Sequence, residues 1–206
     1  MQFADWEPYY REILDYFGFD KKQDEKAAKL LSTLLNRDDL PMLTSLCNVK
    51  NITVCGNAPC LKNELKKIRG SIFAADAAAE VLLDNNVRPD VIFTDLDGAT
   101  DRFIEMNQIG TIIVVHAHGD NIPLLLYWVP KFPGPIVATT QAEPLPHVYN
   151  FGGFTDGDRA VFAADELGAS SITIIGFDLN DLNVEPLKRG KLFWAKKLLE
   201  LIGYEC

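Results

Sequence analysis

The sequence predicts an α/β fold, a mostly parallel β-sheet with helices on both faces, preceded by a small helical N-terminal segment. Three observations carry this expectation. From residue 51 onward, short apolar β-rich runs alternate with amphipathic helical stretches. Strands buried on both faces read as continuous apolar runs, and the intervening helices make the crossovers of a parallel sheet. Residues 1–48 show helical spacing without a strand-like run.

Each element follows from local pattern. Trp6, Tyr9, Tyr10, Ile13, Leu14 and Phe17 recur at helical spacing, as do Ala27, Ala28, Leu30, Leu31 and Leu34, with Gly18 and Asp20 between the two sets. A helical pair over 1–48 is therefore expected, packed as a cap on an α/β domain over 49–206. Strands are expected over 52–55, 71–75, 91–94, 111–116, 135–140 and 171–175. Helices are expected over 61–69, 77–85, 101–108, 121–128, 156–167 and 188–202. Strict alternation of this kind is Rossmann-like.

Composition narrows the function. The 206 residues suffice for one α/β domain with a small appendage. A net charge of -9 argues against a general nucleic-acid partner, which needs a basic footprint. No apolar run reaches membrane-spanning length, and the start lacks the basic and apolar regions of a signal peptide, so a cytoplasmic protein with no membrane partner is expected. Cys47, Cys55, Cys60 and Cys206 form no CxxC pair and read as reduced thiols.

In a parallel α/β sheet, ligands bind outside the carboxyl ends of the strands. Several expected strand exits here are acidic: Asp76, then Asp95 and Asp97, then Asp120, then Asp178. Alternate strand residues share a side, which would place Asp95 and Asp97 on one patch. Two carboxylates at 4 Å repel by roughly 4 kcal/mol at an effective dielectric near 20. A divalent cation reverses that sign, and oxygen-only ligands combined with substrate phosphates suit Mg²⁺. Asp95, Asp97 and Asp120 are the expected metal ligands, with Asp76 a further acid for the metal or for a sugar or base. The competing reading makes Asp97 a helix cap and Asp95 a solvated strand end.

Other motifs fall on the same rim. Gly56, Asn57 and Ala58, followed by Pro59, form a strand-to-helix turn where a phosphate could meet free N–H groups, or an ordinary tight turn. Gly152, Gly153, Thr155, Asp156 and Arg159 sit in a Gly-Gly-Phe-Thr-Asp-Gly-Asp-Arg run, where glycines allow backbone approach and Arg159 could reach a phosphate. Lys188, Arg189 and Lys191 are either solvated charges or a triphosphate clamp. His116-Ala117-His118-Gly119-Asp120 is close to the HxHxD zinc signature of metallo-β-lactamase-like hydrolases, but Asn121 replaces the following His and the strand–helix order disfavours that fold.

The ordered motifs resemble one family. They are Gly-Asn-Ala-Pro at 56–59, Ala-Ala-Asp-Ala-Ala at 74–78, Arg-Pro-Asp-Val-Ile-Phe-Thr-Asp-Leu-Asp-Gly at 88–98, His-Ala-His-Gly-Asp-Asn at 116–121, Gly-Gly-Phe-Thr-Asp-Gly-Asp-Arg-Ala at 152–160 and Ile-Gly-Phe-Asp at 175–178. From residue 51 onward the chain is similar to the archaeal 6-hydroxymethyl-7,8-dihydropterin pyrophosphokinases, themselves distantly similar to the catalytic domain of thiamine pyrophosphokinase. The resemblance implies ATP- and Mg²⁺-dependent transfer of pyrophosphate to the hydroxymethyl oxygen of a reduced pterin, with AMP released, in methanopterin or folate-type cofactor synthesis. It implies ATP and a reduced pterin alcohol as partners. Asp97, Asp120, His118 and Arg159 become the expected catalytic groups, and Gln141, Phe154 and Asp178 become candidates for holding the pterin. Cys60 stands where the family usually has Ser, which removes a hydroxyl contact to phosphate. The alternatives are thiamine pyrophosphokinase, a glycosyltransferase-like enzyme of nucleotide sugars, and the zinc hydrolase; a homodimer is among the open oligomeric states.

Overall fold

A computed structural model describes residues 1–204, so Cys206 lies outside the described residues. The helices α1 (Phe3–Phe17), α2 (Lys21–Leu34) and α3 (Leu40–Cys47) precede the sheet. The strands are β1 (Asn51–Cys55), β2 (Ser71–Ala75), β3 (Val91–Thr94), β4 (Ile112–Ala117), β5 (Ile136–Thr140), β6 (Val148–Tyr149) and β7 (Ser171–Ile175). Between and after them lie α4 (Leu61–Glu64), α5 (Ala78–Asp84), α6 (Asp101–Gln108), α7 (Ile122–Trp128), α8 (Asp156–Glu166) and α9 (Pro186–Leu201). All strand pairs are parallel, in the order β6-β5-β4-β3-β2-β1-β7. The expected Rossmann-like α/β class is the observed one.

Local differences have local causes. The helix expected over 61–69 is a single turn, α4, followed by a 3₁₀ turn at Leu65–Lys67. α3 went unforeseen; it is an eight-residue helix with Pro41 in its first turn. β6 also went unforeseen, being two residues at the sheet edge, too short for a periodic signal.

Alternation along the strands divides the core. Ile52, Val54, Phe73, Val91, Phe93, Ile112, Val114 and Val137 face α1, α3, α8 and α9, while Cys55, Ala74, Ile92, Ile113, Val115 and Ala138 face α2, α4, α5, α6 and α7. The first two helices thus flank opposite faces of the sheet: Trp6, Tyr10 and Ile13 of α1 on one, Ala27, Ala28 and Leu31 of α2 on the other. Between them, Gly18 takes a left-handed φ of 71° that reverses the chain after α1.

The strand order positions the site. β1 through β6 advance in one direction across the sheet, and β7 returns to the far side of β1. β1 leads into α4 on one face and neighbouring β7 leads into α9 on the other. Connections that diverge in this way open a crevice at the carboxyl ends of the strands. α8, which carries the chain back from β6 to β7, packs against β1, β2, β3 and β7 and delivers its N-terminus to that crevice.

Phe73 and Phe93 are both buried, with ring centroids 5.7 Å apart on one face of the sheet. Phe73→Ala is expected to cost about 3–5 kcal/mol through lost burial and a residual cavity. Urea denaturation followed by circular dichroism measures it, and a loss below about 1 kcal/mol would mean that this part of the core is not packed as described.

Candidate active site

A cavity of about 630 Å³ lies over the strand ends. Every rim segment contributes: Gly56, Asn57, Ala58 and Pro59 after β1; Asp76 after β2; Asp95 and Asp97 after β3; His118 and Asp120 after β4; Gln141 after β5; and Gly176, Phe177 and Asp178 after β7. Thr155, Asp156, Gly157 and Arg159 enter from the start of α8, and Lys188 and Lys191 from α9.

The acids gather, though not in the expected set. Carboxylate oxygens of Asp76, Asp95 and Asp156 lie within 4.8 Å of one another, the one such grouping of three among the described residues. Of the expected ligands Asp95, Asp97 and Asp120, only Asp95 belongs to it. β3 ends at Thr94, so strand alternation does not set the positions of Asp95 and Asp97. Leu96 instead adopts a left-handed φ of 75°, with its N–H donating to Thr94 Oγ1 at 2.8 Å. Asp97 is left exposed at the cavity edge, where its N–H donates to Asp95 Oδ1 at 3.2 Å. Asp97 is not a helix cap, since α6 starts from Thr100. Asp120 is exposed in the 3₁₀ turn Gly119–Asn121 and lies outside the cluster.

Backbone strain aims the cluster. Asp76 has a φ of 44°, a conformation that costs a non-glycine residue on the order of 1–2 kcal/mol. Its N–H donates to Phe93 O at 2.7 Å, and Thr94 Oγ1 donates to its Oδ1 at 2.6 Å. Any side chain at Gly98 would collide with the Asp76 carboxylate and displace it from its place in the cluster. Asn121, in place of the His of the zinc signature, donates to Asp95 O and His116 O, each at 2.7 Å, and its Oδ1 accepts from His118 N at 3.1 Å. It ties the β3 and β4 exits together.

The charges are uneven. Burial opposes ionisation of Asp95, but His118, Arg159 and the Asp97 N–H outweigh it and hold its carboxyl well below the usual range. At the cavity edge, partial loss of solvation, then the Asp95 charge, pushes Asp97 up to about 6. Burial raises Asp76 and raises Asp156 well above the ordinary value, with Asp95 adding repulsion in each case. Arg159 Nη1 donates to Asp156 Oδ1 at 3.0 Å and is the nearest compensating cation.

His118 Nε2 stands 3.4 Å from Asp95 Oδ2, and its Nδ1 accepts from Asp120 N at 3.4 Å. Both ring nitrogens of His118 are thus engaged within the rim, one of them against Asp95. His116 is buried, with Nδ1 3.1 Å from Thr139 Oγ1, and burial lowers its pKa well below the ordinary value. The HxHxD zinc centre is therefore not assembled: His116 is locked into the sheet, and no metal-sized grouping among the described residues contains His116, His118 or Asp120.

Gly152 and Gly153 do not line the main cavity. Their φ values of 89° and 85° bring the chain against α8, where an added Cβ would sit 2.7 Å from Phe162 and 2.7 Å from Arg159 backbone, respectively. Asp158, unforeseen, is fully buried and accepts from Phe154 N at 2.6 Å and Thr155 N at 2.8 Å, fixing this loop as a helix cap. Gly56 is needed for close approach, because its Cβ would lie 2.6 Å from Gly176 O, and Ala58 N donates to that same oxygen at 2.8 Å. Cys60 lies outside the lining, its Sγ 4.0 Å from Phe177 O.

The model of the family described as "6-hydroxymethylpterin diphosphokinase MptE-like" matches residues 25–184. A protein of Methanothermobacter thermautotrophicus named 6-hydroxymethyl-7,8-dihydropterin pyrophosphokinase is 38% identical, with 97% of this chain and 94% of that protein covered. Proteins of the same name from Pyrococcus furiosus and Methanocaldococcus jannaschii are 40% and 37% identical, covering 88% and 98% of this chain and 80% and 96% of theirs. Among solved structures, a MAf glycosyltransferase from Magnetospirillum magneticum superposes with a TM-score of 0.46 at 16% identity, over 68% of this chain and 25% of that one.

The Asp97 shift sets a pH dependence. Its ordinary value is 3.8 and its folded value about 6, so the fold favours the protonated form. That contribution is complete below the ordinary value and is lost as pH rises through the folded one. Asp97→Asn is therefore expected to raise the melting temperature at pH 8 and to leave it nearly unchanged at pH 3.5, as read by differential scanning calorimetry. A pH-independent effect would contradict the loss of solvation and the Asp95 repulsion that shift Asp97.

Proposed function

The chain belongs to the 6-hydroxymethylpterin diphosphokinase MptE-like family, and we propose that it transfers diphosphate from ATP to the hydroxymethyl oxygen of 6-hydroxymethyl-7,8-dihydropterin, releasing AMP. The observation that carries this reading is the Asp76, Asp95 and Asp156 cluster inside a cavity of about 630 Å³ that Lys188, Lys191 and Arg159 also line. Oxygen-only donors at this spacing suit Mg²⁺ and exclude the softer set that zinc prefers. Bound there, Mg²⁺ would neutralise phosphate charge as the α–β bond breaks.

The chain's own residues supply the rest. Lys188 and Lys191 favour an anionic polyphosphate in the cavity, and Arg159 adds a charge held rigid by Asp156. In the Gly56–Ala58 turn, Gly56 N and Ala58 N already donate to Ile175 O and Gly176 O, which leaves the Asn57 N–H as the turn's donor toward a phosphate. Phosphoryl transfer of this kind depends mainly on positioning and electrostatics, so a strong base is not required. Asp120 lines the cavity and is exposed on the rim with no side-chain partner among the described residues, and in this proposal it takes the proton of the attacking alcohol. No described helix is long and apolar enough to cross a membrane.

Asp95→Asn and Asp156→Asn are each expected to lower Mg²⁺-dependent AMP release by about 100-fold or more while the protein stays folded. A coupled AMP assay with the pterin alcohol measures it, with thiamine as the comparison acceptor. Near-native rates in both variants would refute the metal assignment, and AMP release with thiamine but not with the pterin would refute the acceptor.

A further inference from the structure

Asp24 of α2 is a buried acid that accepts three hydrogen bonds: from the Tyr10 hydroxyl at 2.7 Å, from Gln141 Nε2 at 2.8 Å and from Gly119 N at 2.8 Å. It binds both N-terminal helices to the exits of β4 and β5. A carboxylate can only accept, so its bond to Gln141 decides which end of that carboxamide is committed. Nε2 is held by Asp24. Oε1 is left buried without a partner among the described residues. Turning the amide over would set Oε1 against the carboxylate, so this orientation is enforced. Gln141 is 4% exposed and forms part of the cavity wall, together with Phe19 and Phe154. Those two rings are braced by Phe17, which stacks on them at 5.2 Å and 5.1 Å.

We infer that Gln141 is a specificity-determining residue for the acceptor alcohol, its Oε1 accepting from both the N3–H and the 2-amino group of the pterin edge. This rests on the diphosphokinase reading above. With Nε2 occupied, Gln141 can offer only an acceptor. The pterin edge presents two adjacent donors, the ring N3–H and the 2-amino group. The adenine of ATP and the aminopyrimidine of thiamine each present an amino donor beside a ring-nitrogen acceptor, a pattern that asks a carboxamide for both of its ends. An acceptor-only glutamine therefore matches the pterin and selects against the other two. Asp24 is the positioning residue that keeps it acceptor-only.

The test is calorimetric titration of the full-length protein with 6-hydroxymethyl-7,8-dihydropterin and with its analogue lacking the 2-amino group. Wild type is expected to bind the parent about tenfold or more tightly than the analogue. Gln141→Met should bind the two within about twofold of each other, with affinity for a non-hydrolysable ATP analogue unchanged. Asp24→Asn, which allows the amide to turn, should narrow the discrimination in the same direction. Equal binding by wild type overturns the inference without any variant, so a misfolded Gln141→Met leaves it decided. Retained discrimination in folded Gln141→Met, or a loss confined to the nucleotide, also overturns it. Failure of the diphosphokinase reading shows differently: the pterin binds with discrimination, yet no AMP forms.

Discussion

Carboxylates held within 4.8 Å of one another repel, and the strand-end rim is built to bear that repulsion. Left-handed backbone at Asp76 and Leu96 turns the acids inward. Gly98 makes room for the Asp76 carboxylate. Asn121 clamps two strand exits, His118 holds Asp95, and Arg159 holds Asp156. Strained residues of this kind persist only where surrounding structure over-determines them, and they gather at functional sites. A dication bound there would convert that repulsion into attraction.

The sheet makes this arrangement possible. Parallel strands bring all carboxyl ends to one rim, and the divergence of β1 and β7 opens the rim into a crevice. α8 is the second requirement, because it crosses back over the sheet and adds Asp156 and Arg159 to acids supplied by β2 and β3. The N-terminal helices are the third: Phe19 and the Asp24–Gln141 bond make them part of the cavity wall rather than a distant appendage.

Much of the architecture was legible because strands buried on both faces announce themselves as continuous apolar runs. The strand over 91–94 and the helix over 101–108 match β3 and α6 residue for residue. The rim was legible too, since Asp76, Asp95, Asp97 and Asp120 all line the cavity. The grouping within the rim was not, because it depends on a positive φ at Leu96, which pattern reading does not register. Asp156 stands out only as part of the glycine-rich run at the start of a helix, and only the path of α8 across the sheet brings it to Asp95. Asp24 and Gln141 are 117 residues apart, and no local signal links them. Asp90, within the family motif, serves architecture instead: its carboxylate accepts from Ile72 N at 2.8 Å, at the opposite end of the strands from the cavity.

The central claim is that Asp76, Asp95 and Asp156 together hold a divalent cation beside the nucleotide phosphates. Anomalous diffraction from crystals grown with Mn²⁺ and a non-hydrolysable ATP analogue tests it most directly. The account predicts a manganese peak in contact with carboxylate oxygens from at least two of these three residues and with phosphate oxygens. A peak held by Asp97 and Asp120 without them, or nucleotide bound with no metal at the cluster, would contradict it.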